Sequence, residues 1–318
     1  MIRPALLAAL VSLMATVAQA ETVEIPGPEG PLQGELLLPE GAAQSGVVIV
    51  PGSGPIDRDG RFSTGRGALT YRLLAEALAG EGVASLRIDK RGLFGSKAAI
   101  ADPEAVTIEA YGEDVAGWAA ALSSRLGQEC VWLAGHSEGG LVSLATASAG
   151  APHVCGLVLL AAPGRRLSVI LREQLARQPQ ARAYHEEMER ILSTLERGER
   201  VDIDSLSPAL RQPWRDSIQG FLINLFSKDP VALAQAYPGP VLVIQGGRDV
   251  QITEVDAKAL AQAAPGAKLR LFARMTHMLK DDVEGAPYAT YEDPDLPLTE
   301  GLARSIARFI SQTRPLDR

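Results

Sequence analysis

Ser137 is the residue whose sequence neighbours best suit it to act as a nucleophile. It lies in the turn GHSEG (135–139), between an apolar strand that ends at Ala134 and a helix that begins at once. Glycines two positions before and after the serine let the backbone pack closely around it, and such a turn pushes the hydroxyl outward. Glycine is common in this chain, so the flanking strand and helix carry more weight than the five letters. Together they indicate attack on an acyl carbon.

A serine hydroxyl needs a base to take its proton, and the chain has four histidines. His153 precedes a strand, His185 lies on a charged helical face, and His136 sits in the serine turn, where we expect its side chain to point away from the hydroxyl. His277 follows a late strand at its carboxyl end. We therefore predict His277 as the base.

The base in turn needs an acid to orient it. Asp249 directly follows the strand PVLVIQ and a Gly-Gly pair, where its carboxylate can reach the far nitrogen of His277. Asp281 and Asp282 are too close in sequence to His277 to hold its ring. The predicted triad is thus Ser137, Asp249 and His277, each at the end of a separate strand.

Acyl transfer also needs N–H donors for the developing oxyanion. The N–H of Glu138 lies at a helix N-terminus and points toward charge forming beside the serine. The second donor is expected in the loop 51–60, which follows the apolar strand 47–50; Ser53 N–H is the first choice and Gly54 N–H the second. We interpret the Glu138 side chain only as a charge at the helix start.

Regular alternation of strand and helix patterns predicts an α/β fold with a mostly parallel sheet and helices on both faces. The core is assigned to residues 21–163 and 238–318. Residues 164–237 lack a buried-strand pattern and carry helical spacing instead, so we predict a helical cap inserted after the sixth strand. Ligands in such sheets bind at the carboxyl ends of the strands, where the candidate residues lie.

The N-terminus has the form of a secretory signal peptide. A positive start is followed by an apolar run over 5–17 and by Ala18-Gln19-Ala20, which predicts cleavage after Ala20 and a periplasmic or secreted protein. The run is too short for a stable membrane anchor. The net charge of −7, without a basic stripe, argues against a nucleic-acid partner.

The two cysteines, Cys130 and Cys155, each stand at the start of an apolar strand. If the two strands are neighbours, both thiols lie at one edge of the sheet, and we predict a disulfide between them. The alternative is a pair of buried thiols. No cluster has metal-ligand spacing and no glycine loop precedes a Lys-Ser/Thr pair, so neither a metal nor a cofactor is expected.

Several motifs together resemble those of bacterial α/β-hydrolase carboxylesterases of the lysophospholipase and serine aminopeptidase branch: PGSGPIDRDG, RIDKRG followed by GS, GHSEGG, QGGRDVQI and THMLK. The likeness covers residues 45–163 and 238–312. It implies an α/β-hydrolase fold, the same triad, and Ser53 with Glu138 as oxyanion donors. Pro51 is a departure, since many relatives have histidine before the oxyanion glycine.

The leading hypothesis is a serine hydrolase that cleaves small carboxylic esters, with short acyl chains, through an acyl-enzyme. The second is a peptidase or aminoacyl amidase on the same triad, with the cap residues Glu186, Glu187 and Glu189 receiving a substrate amine. The third, favoured least by an intact triad, is a non-catalytic binding protein on the same fold.

Overall fold

The computed structural model describes residues 20–286 and 288–315 of the chain, so residues 1–19 of the predicted signal peptide lie outside the described residues. One sheet of eight strands runs through the described part, in the order β1-β2-β4-β3-β5-β6-β7-β8. Its first two strands are antiparallel and β3 to β8 are parallel, which confirms the predicted mostly parallel sheet. The strands are β1 (Ala20–Pro26), β2 (Pro31–Leu37), β3 (Ser45–Val50), β4 (Val83–Ile88), β5 (Val131–His136), β6 (Val154–Leu160), β7 (Val241–Gly246) and β8 (Lys268–Phe272).

Helices cover both faces of this sheet, and no helix in residues 20–286 or 288–315 is long and apolar enough to cross a membrane. The α-helices are α1 (Thr70–Gly80), α2 (Ile108–Leu126), α3 (Glu138–Ser148), α4 (Leu167–Ala176), α5 (His185–Glu196), α6 (Pro208–Arg211), α7 (Asp216–Ser227), α8 (Pro230–Ala236), α9 (Glu254–Ala263), α10 (Ala289–Glu292) and α11 (Leu302–Gln312). Short 3₁₀ turns occupy Phe94–Ala99, Pro103–Ala105, Pro179–Tyr184 and Ile203–Ser205.

The continuous apolar runs become the central strands because both of their faces are covered. In β3, Val48 and Val50 point into a core beneath α2 and α3, whereas Val47 and Ile49 point into a second core beneath α1 and α11. Side chains alternate between faces along a strand, so every position of such a strand must be apolar. The result is a rigid sheet whose carboxyl edge carries the loops of interest.

The segment predicted as a cap contains α4 to α8. Helix α7 rests on the 3₁₀ turn Pro103–Ala105 and on α2. There the Asn224 side-chain oxygen accepts a hydrogen bond from Ile108 N at 2.8 Å, and Asn224 Nδ2 donates to Glu109. These bonds occupy backbone and side-chain groups at the start of α2, so α7 is tied to the sheet domain near the strand ends. Helix α8 packs against α3 and α9.

A disulfide joins Cys130 and Cys155, whose Cα atoms are 5.1 Å apart. Cys130 immediately precedes β5 and Cys155 is the second residue of β6, and these strands are parallel neighbours. The bond therefore links the amino ends of two adjacent strands. It lies at the edge of the sheet opposite to Ser137, which follows the carboxyl end of β5.

Candidate active site

Ser137 stands alone between β5 and α3, in a conformation that L-residues seldom adopt. Its φ is 54° and its ψ is −125°, a strained combination that persists only where the surroundings impose it. Gly135 and Gly139 allow the backbone on either side to pack closely enough to impose this conformation. A Cβ on Gly135 would lie 2.3 Å from the carbonyl oxygen of Gly139, and one on Gly139 would lie 2.3 Å from that of Val50. The turn is therefore tight because nothing larger than hydrogen fits at either position.

His277 and Asp249 meet directly, although 28 residues separate them. Asp249 follows β7, His277 follows β8, and His277 Nδ1 lies 2.8 Å from Asp249 Oδ2. The other carboxylate oxygen accepts the N–H groups of Gln251 and Ile252 at 2.8 and 3.0 Å. The parallel pairing of the two strands brings their following loops together, as the sequence predicts.

These contacts fix the charge on Asp249 and the tautomer of His277. Burial raises the pKa of the Asp249 carboxyl, but the imidazole of His277 and the two backbone N–H groups outweigh it, so the pKa is lowered. The ionised carboxylate only accepts, and His277 must therefore donate from Nδ1. The lone pair of Nε2 is left to take a proton.

The serine turn is a neighbour of this pair. The ring of His136, the residue before Ser137, has its centroid 4.8 Å from that of His277. Ser137 is partly exposed, and within residues 20–286 and 288–315 its hydroxyl makes no hydrogen bond to His277. The structure thus joins the acid and the base and puts the serine turn beside them.

His136 has a structural connection that the sequence analysis missed. Its Nε2 lies 2.8 Å from the carbonyl oxygen of His277, and its Nδ1 lies 2.9 Å from the hydroxyl of Tyr71. Burial and the neighbouring His277 lower the pKa of His136 to about 3, so the ring is neutral. Because a carbonyl only accepts, Nε2 carries the proton and Tyr71 donates to Nδ1. His136 thereby braces the backbone of the His277 loop.

The loop after β3 is held from two sides at Gly52. Gly52 N donates to the Tyr71 hydroxyl at 2.8 Å, and Gly52 O accepts from Lys90 Nζ at 2.8 Å. The Glu138 carboxylate, 3.0 Å from Lys90 Nζ, is buried with it. The interpretation of Glu138 as a simple helix-start charge is therefore incomplete, because its side chain belongs to a buried ion pair.

The two predicted oxyanion donors lie in this neighbourhood. In the described part of the chain, neither Ser53 N–H nor Glu138 N–H donates to a protein acceptor. Glu138 is the first residue of α3, so its N–H also carries the positive end of the helix dipole.

A cavity of about 270 Å³ opens beneath α7, beside Glu138 and the loop 51–60, which was predicted to carry an oxyanion donor and is called the oxyanion loop below. Its walls are mostly apolar and combine residues of the sheet domain with residues of the predicted cap, among them Pro55, Leu93, Val106, Tyr111, Ile218 and Phe221. Among the described residues no group of three or more His, Cys, Asp or Glu side chains could hold a metal ion. The site therefore offers a serine, an oriented imidazole, free N–H donors and an apolar recess.

Tyr71, Lys90 and His136 support the site without having been predicted. Tyr71 lies in an amphipathic helix, Lys90 within RIDKRG, and His136 next to the serine. The one available signal was Lys90, a cation two residues after the end of the buried strand β4. Its partners are 38 and 48 residues away, so the pairing depends on strand order, which the residue pattern alone does not give.

Comparison with known proteins bears on the family and the fold of this chain. A model of the alpha/beta hydrolase family matches residues 47–287. Esterase EstD of Thermotoga maritima is 28% identical over 253 residues, a match that spans 78% of this chain and 58% of EstD. Est1E of Butyrivibrio proteoclasticus, solved with ferulic acid, superposes with a TM-score of 0.58 at 17% identity over 92% of this chain and 98% of Est1E.

Proline iminopeptidase of Mycobacterium smegmatis superposes with a TM-score of 0.57, also at 17% identity, over 92% of this chain and 98% of its own. Identities this low establish a shared fold alone. Because an esterase and a peptidase both share that fold, the choice between the two activities rests on the site.

Proposed function

We propose that this chain, which belongs to the α/β hydrolase family, is a serine hydrolase of small carboxylic esters. The observation that carries the proposal is the hydrogen bond between His277 and Asp249 beside the strained Ser137. The similarity to EstD supports an ester rather than another acyl compound as substrate. An oriented base near a partly exposed serine is the arrangement that acyl transfer requires.

In the proposed mechanism Ser137 Oγ attacks the ester carbonyl while His277 Nε2 takes the hydroxyl proton. The ionised Asp249 stabilises the imidazolium that forms. His277 then returns the proton to the leaving alcohol, which leaves an acyl-enzyme on Ser137. A water molecule, deprotonated by His277 in the same way, releases the acid and restores the serine.

The tetrahedral intermediates place a negative charge on the former carbonyl oxygen. In this proposal Ser53 N–H and Glu138 N–H bind that oxyanion, since both lack a protein acceptor in the described ranges. Preorganised donors of this kind are worth about 10²- to 10³-fold each in kcat. They need no movement during the reaction, because the loop and helix that carry them are already fixed.

The alternative of a peptidase finds less support in the cap. The Glu187 carboxylate accepts from Ser207 N and Oγ at 2.7 and 2.6 Å, and Glu189 is paired with Arg172 at 2.9 Å. Two of the three glutamates suggested for a substrate amine are thus engaged within the cap. Comparing p-nitrophenyl acetate with an aminoacyl p-nitroanilide decides the matter, and faster cleavage of the anilide would reverse our assignment.

We predict that short acyl chains are preferred, because the recess beside the oxyanion loop holds only about 270 Å³. Each buried methylene contributes about 0.8 kcal/mol, but an acyl chain too long for the recess must displace α7 or hold its carbonyl away from Ser137, which lowers the rate. We expect kcat/KM for p-nitrophenyl acetate and butyrate to exceed that for the dodecanoate by about tenfold or more. Ile218→Trp, which narrows the recess, should lower the butyrate value more than the acetate value. A kcat/KM that rises steadily to the dodecanoate would contradict this prediction.

We also propose that the protein is exported and acts in the periplasm or outside the cell. The signal peptide pattern and a disulfide at Cys130–Cys155 support an oxidising compartment. The mature chain is expected to begin at Glu21, with an intact mass lower by two hydrogen atoms than after reduction. Mass spectrometry of protein from the periplasmic fraction tests both points. An unprocessed chain, or one whose mass does not change on reduction, would refute the corresponding point.

A further inference from the structure

We propose that Lys90 is the positioning residue of the oxyanion hole. Its ammonium group holds the Gly52–Ser53 peptide, which carries one N–H donor, and the side chain of Glu138, whose backbone carries the other. This inference rests on the proposed function, since it concerns how Ser53 N–H and Glu138 N–H are aimed. Lys90 lies two residues after the end of β4 and is buried, with 5% of its surface exposed. Its ammonium group touches neither the nucleophile nor the base.

The contact with Gly52 fixes the direction of the Ser53 N–H. The carbonyl oxygen that Lys90 Nζ contacts at 2.8 Å belongs to the peptide bond between Gly52 and Ser53. In a planar trans peptide the C=O and N–H point in opposite directions. A cation bound to the oxygen therefore turns the N–H away from Lys90 and also polarises it, since hydrogen bonds in a chain strengthen one another.

The preceding peptide is fixed independently. Gly52 N–H donates to the Tyr71 hydroxyl, which in turn donates to His136 Nδ1. With Tyr71 bound on one side and Lys90 on the other, both peptide planes at Gly52 are held. Glycine without these bonds would be the most mobile residue of the loop.

The contact with Glu138 links the same cation to the second donor. Lys90 Nζ lies 3.0 Å from Glu138 Oε1, and the backbone N–H of Glu138 begins α3. Burial alone lowers the pKa of Lys90, but the Glu138 carboxylate and the neighbouring Tyr111 together outweigh it, so the pKa is raised and the ammonium stays charged. One charge thus joins the loop after β3 to the start of α3.

If the Lys90–Glu138 ion pair only stabilised the fold, a variant that lacks both charges but keeps its stability would also keep its kcat. A double variant therefore separates a structural role from a positioning role. Lys90→Met leaves Glu138 buried without a partner and should destabilise the fold, whereas Lys90→Met/Glu138→Leu removes both charges and can recover stability. The backbone N–H of residue 138 is present in every variant. In the double variant we therefore expect stability to be recovered while kcat stays low.

The experiment measures melting temperature, kcat and KM with p-nitrophenyl acetate, and the Ki of phenylboronic acid, which forms a tetrahedral adduct. In Lys90→Met/Glu138→Leu we expect a melting temperature near that of the wild type and a kcat about 10²-fold lower, as for loss of one donor. KM should change by less than about threefold, and boronate affinity should fall with kcat. Arg165→Met, which likewise leaves a buried carboxylate, that of Asp256, without its cation, is the control and should lose stability with little change in kcat.

Recovery of both melting temperature and wild-type kcat in the double variant would overturn the proposal. If the double variant does not fold, Lys90→Gln distinguishes a positioning role from a structural one, because its neutral amide still offers Glu138 a hydrogen-bond donor. A fall in its kcat of about tenfold or more supports the proposal, and a kcat within about threefold of wild type overturns it. Failure of the wild-type protein to cleave any ester would instead refute the proposed function, so the two failures are distinct.

Discussion

Replacement of Ser137 by alanine is expected to lower kcat/KM for p-nitrophenyl acetate by about 10⁴-fold or more, because the acyl-enzyme can no longer form. The recess, the oxyanion donors and the His277–Asp249 pair stay in place, so KM should change little. Alanine has less side chain than serine at the strained φ of 54°, and the fold should be retained. Steady-state kinetics with a matched melting curve checks both statements.

Ser148→Ala is the matched control for this variant. Ser148 ends α3, the helix that begins after Ser137, and within residues 20–286 and 288–315 its hydroxyl donates a hydrogen bond only to the Ala145 carbonyl oxygen, at 3.2 Å. Its loss should leave kcat/KM unchanged within about twofold. Esterase activity that survives Ser137→Ala at the same level would eliminate the proposed mechanism.

Asp249→Asn is expected to lower kcat by about 10⁴-fold through the tautomer of His277. The native carboxylate accepts from His277 Nδ1 at 2.8 Å and leaves Nε2 as the proton acceptor. An asparagine amide turned toward Nδ1 donates instead, which moves the imidazole proton to Nε2, the atom that must receive the serine proton. The oxygen of the same amide still satisfies the Gln251 and Ile252 N–H groups, so we expect the variant to fold.

Asp282→Asn serves as the control for the charge change. Asp282 lies five residues beyond His277, and it is paired with Arg274 at 2.9 Å and with Arg248 at 3.6 Å. Its neutralisation should alter kcat by less than about threefold. Equal losses in both aspartate variants would mean that the His277 loop responds to charge in general, and the tautomer argument would fail.

The parts of the fold that the sequence predicted are those with local causes. Strand β3 is buried on both faces and is therefore an unbroken apolar run in the sequence. Ser137 is recognisable because no residue larger than glycine fits two positions before or after it. Asp249 and His277 could be paired because parallel strands deliver their following loops to one edge. The disulfide between Cys130 and Cys155 follows from the same rule at the opposite edge.

The parts that could not be predicted depend on contacts between distant segments. Lys90 meets Glu138 only because β4 lies beside β3 and β3 beside β5, an order that no single segment encodes. Tyr71 likewise reads as one apolar position of an amphipathic helix, although its hydroxyl joins the oxyanion loop to His136. The helices of residues 164–237 are recognisable by helical spacing and the lack of a buried-strand pattern, but the recess beneath α7 arises from how α7 packs on the Pro103–Ala105 turn.

Covalent labelling of Ser137 by a fluorophosphonate tests the central claim most directly. Such a reagent phosphonylates only a serine that a neighbouring base activates and that oxyanion donors face. We predict a stoichiometric adduct on the peptide that contains Ser137, with labelling abolished in Ser137→Ala and slowed strongly in Asp249→Asn. An adduct on another residue, or no adduct on the folded wild-type protein, would contradict the assignment of Ser137 as the nucleophile.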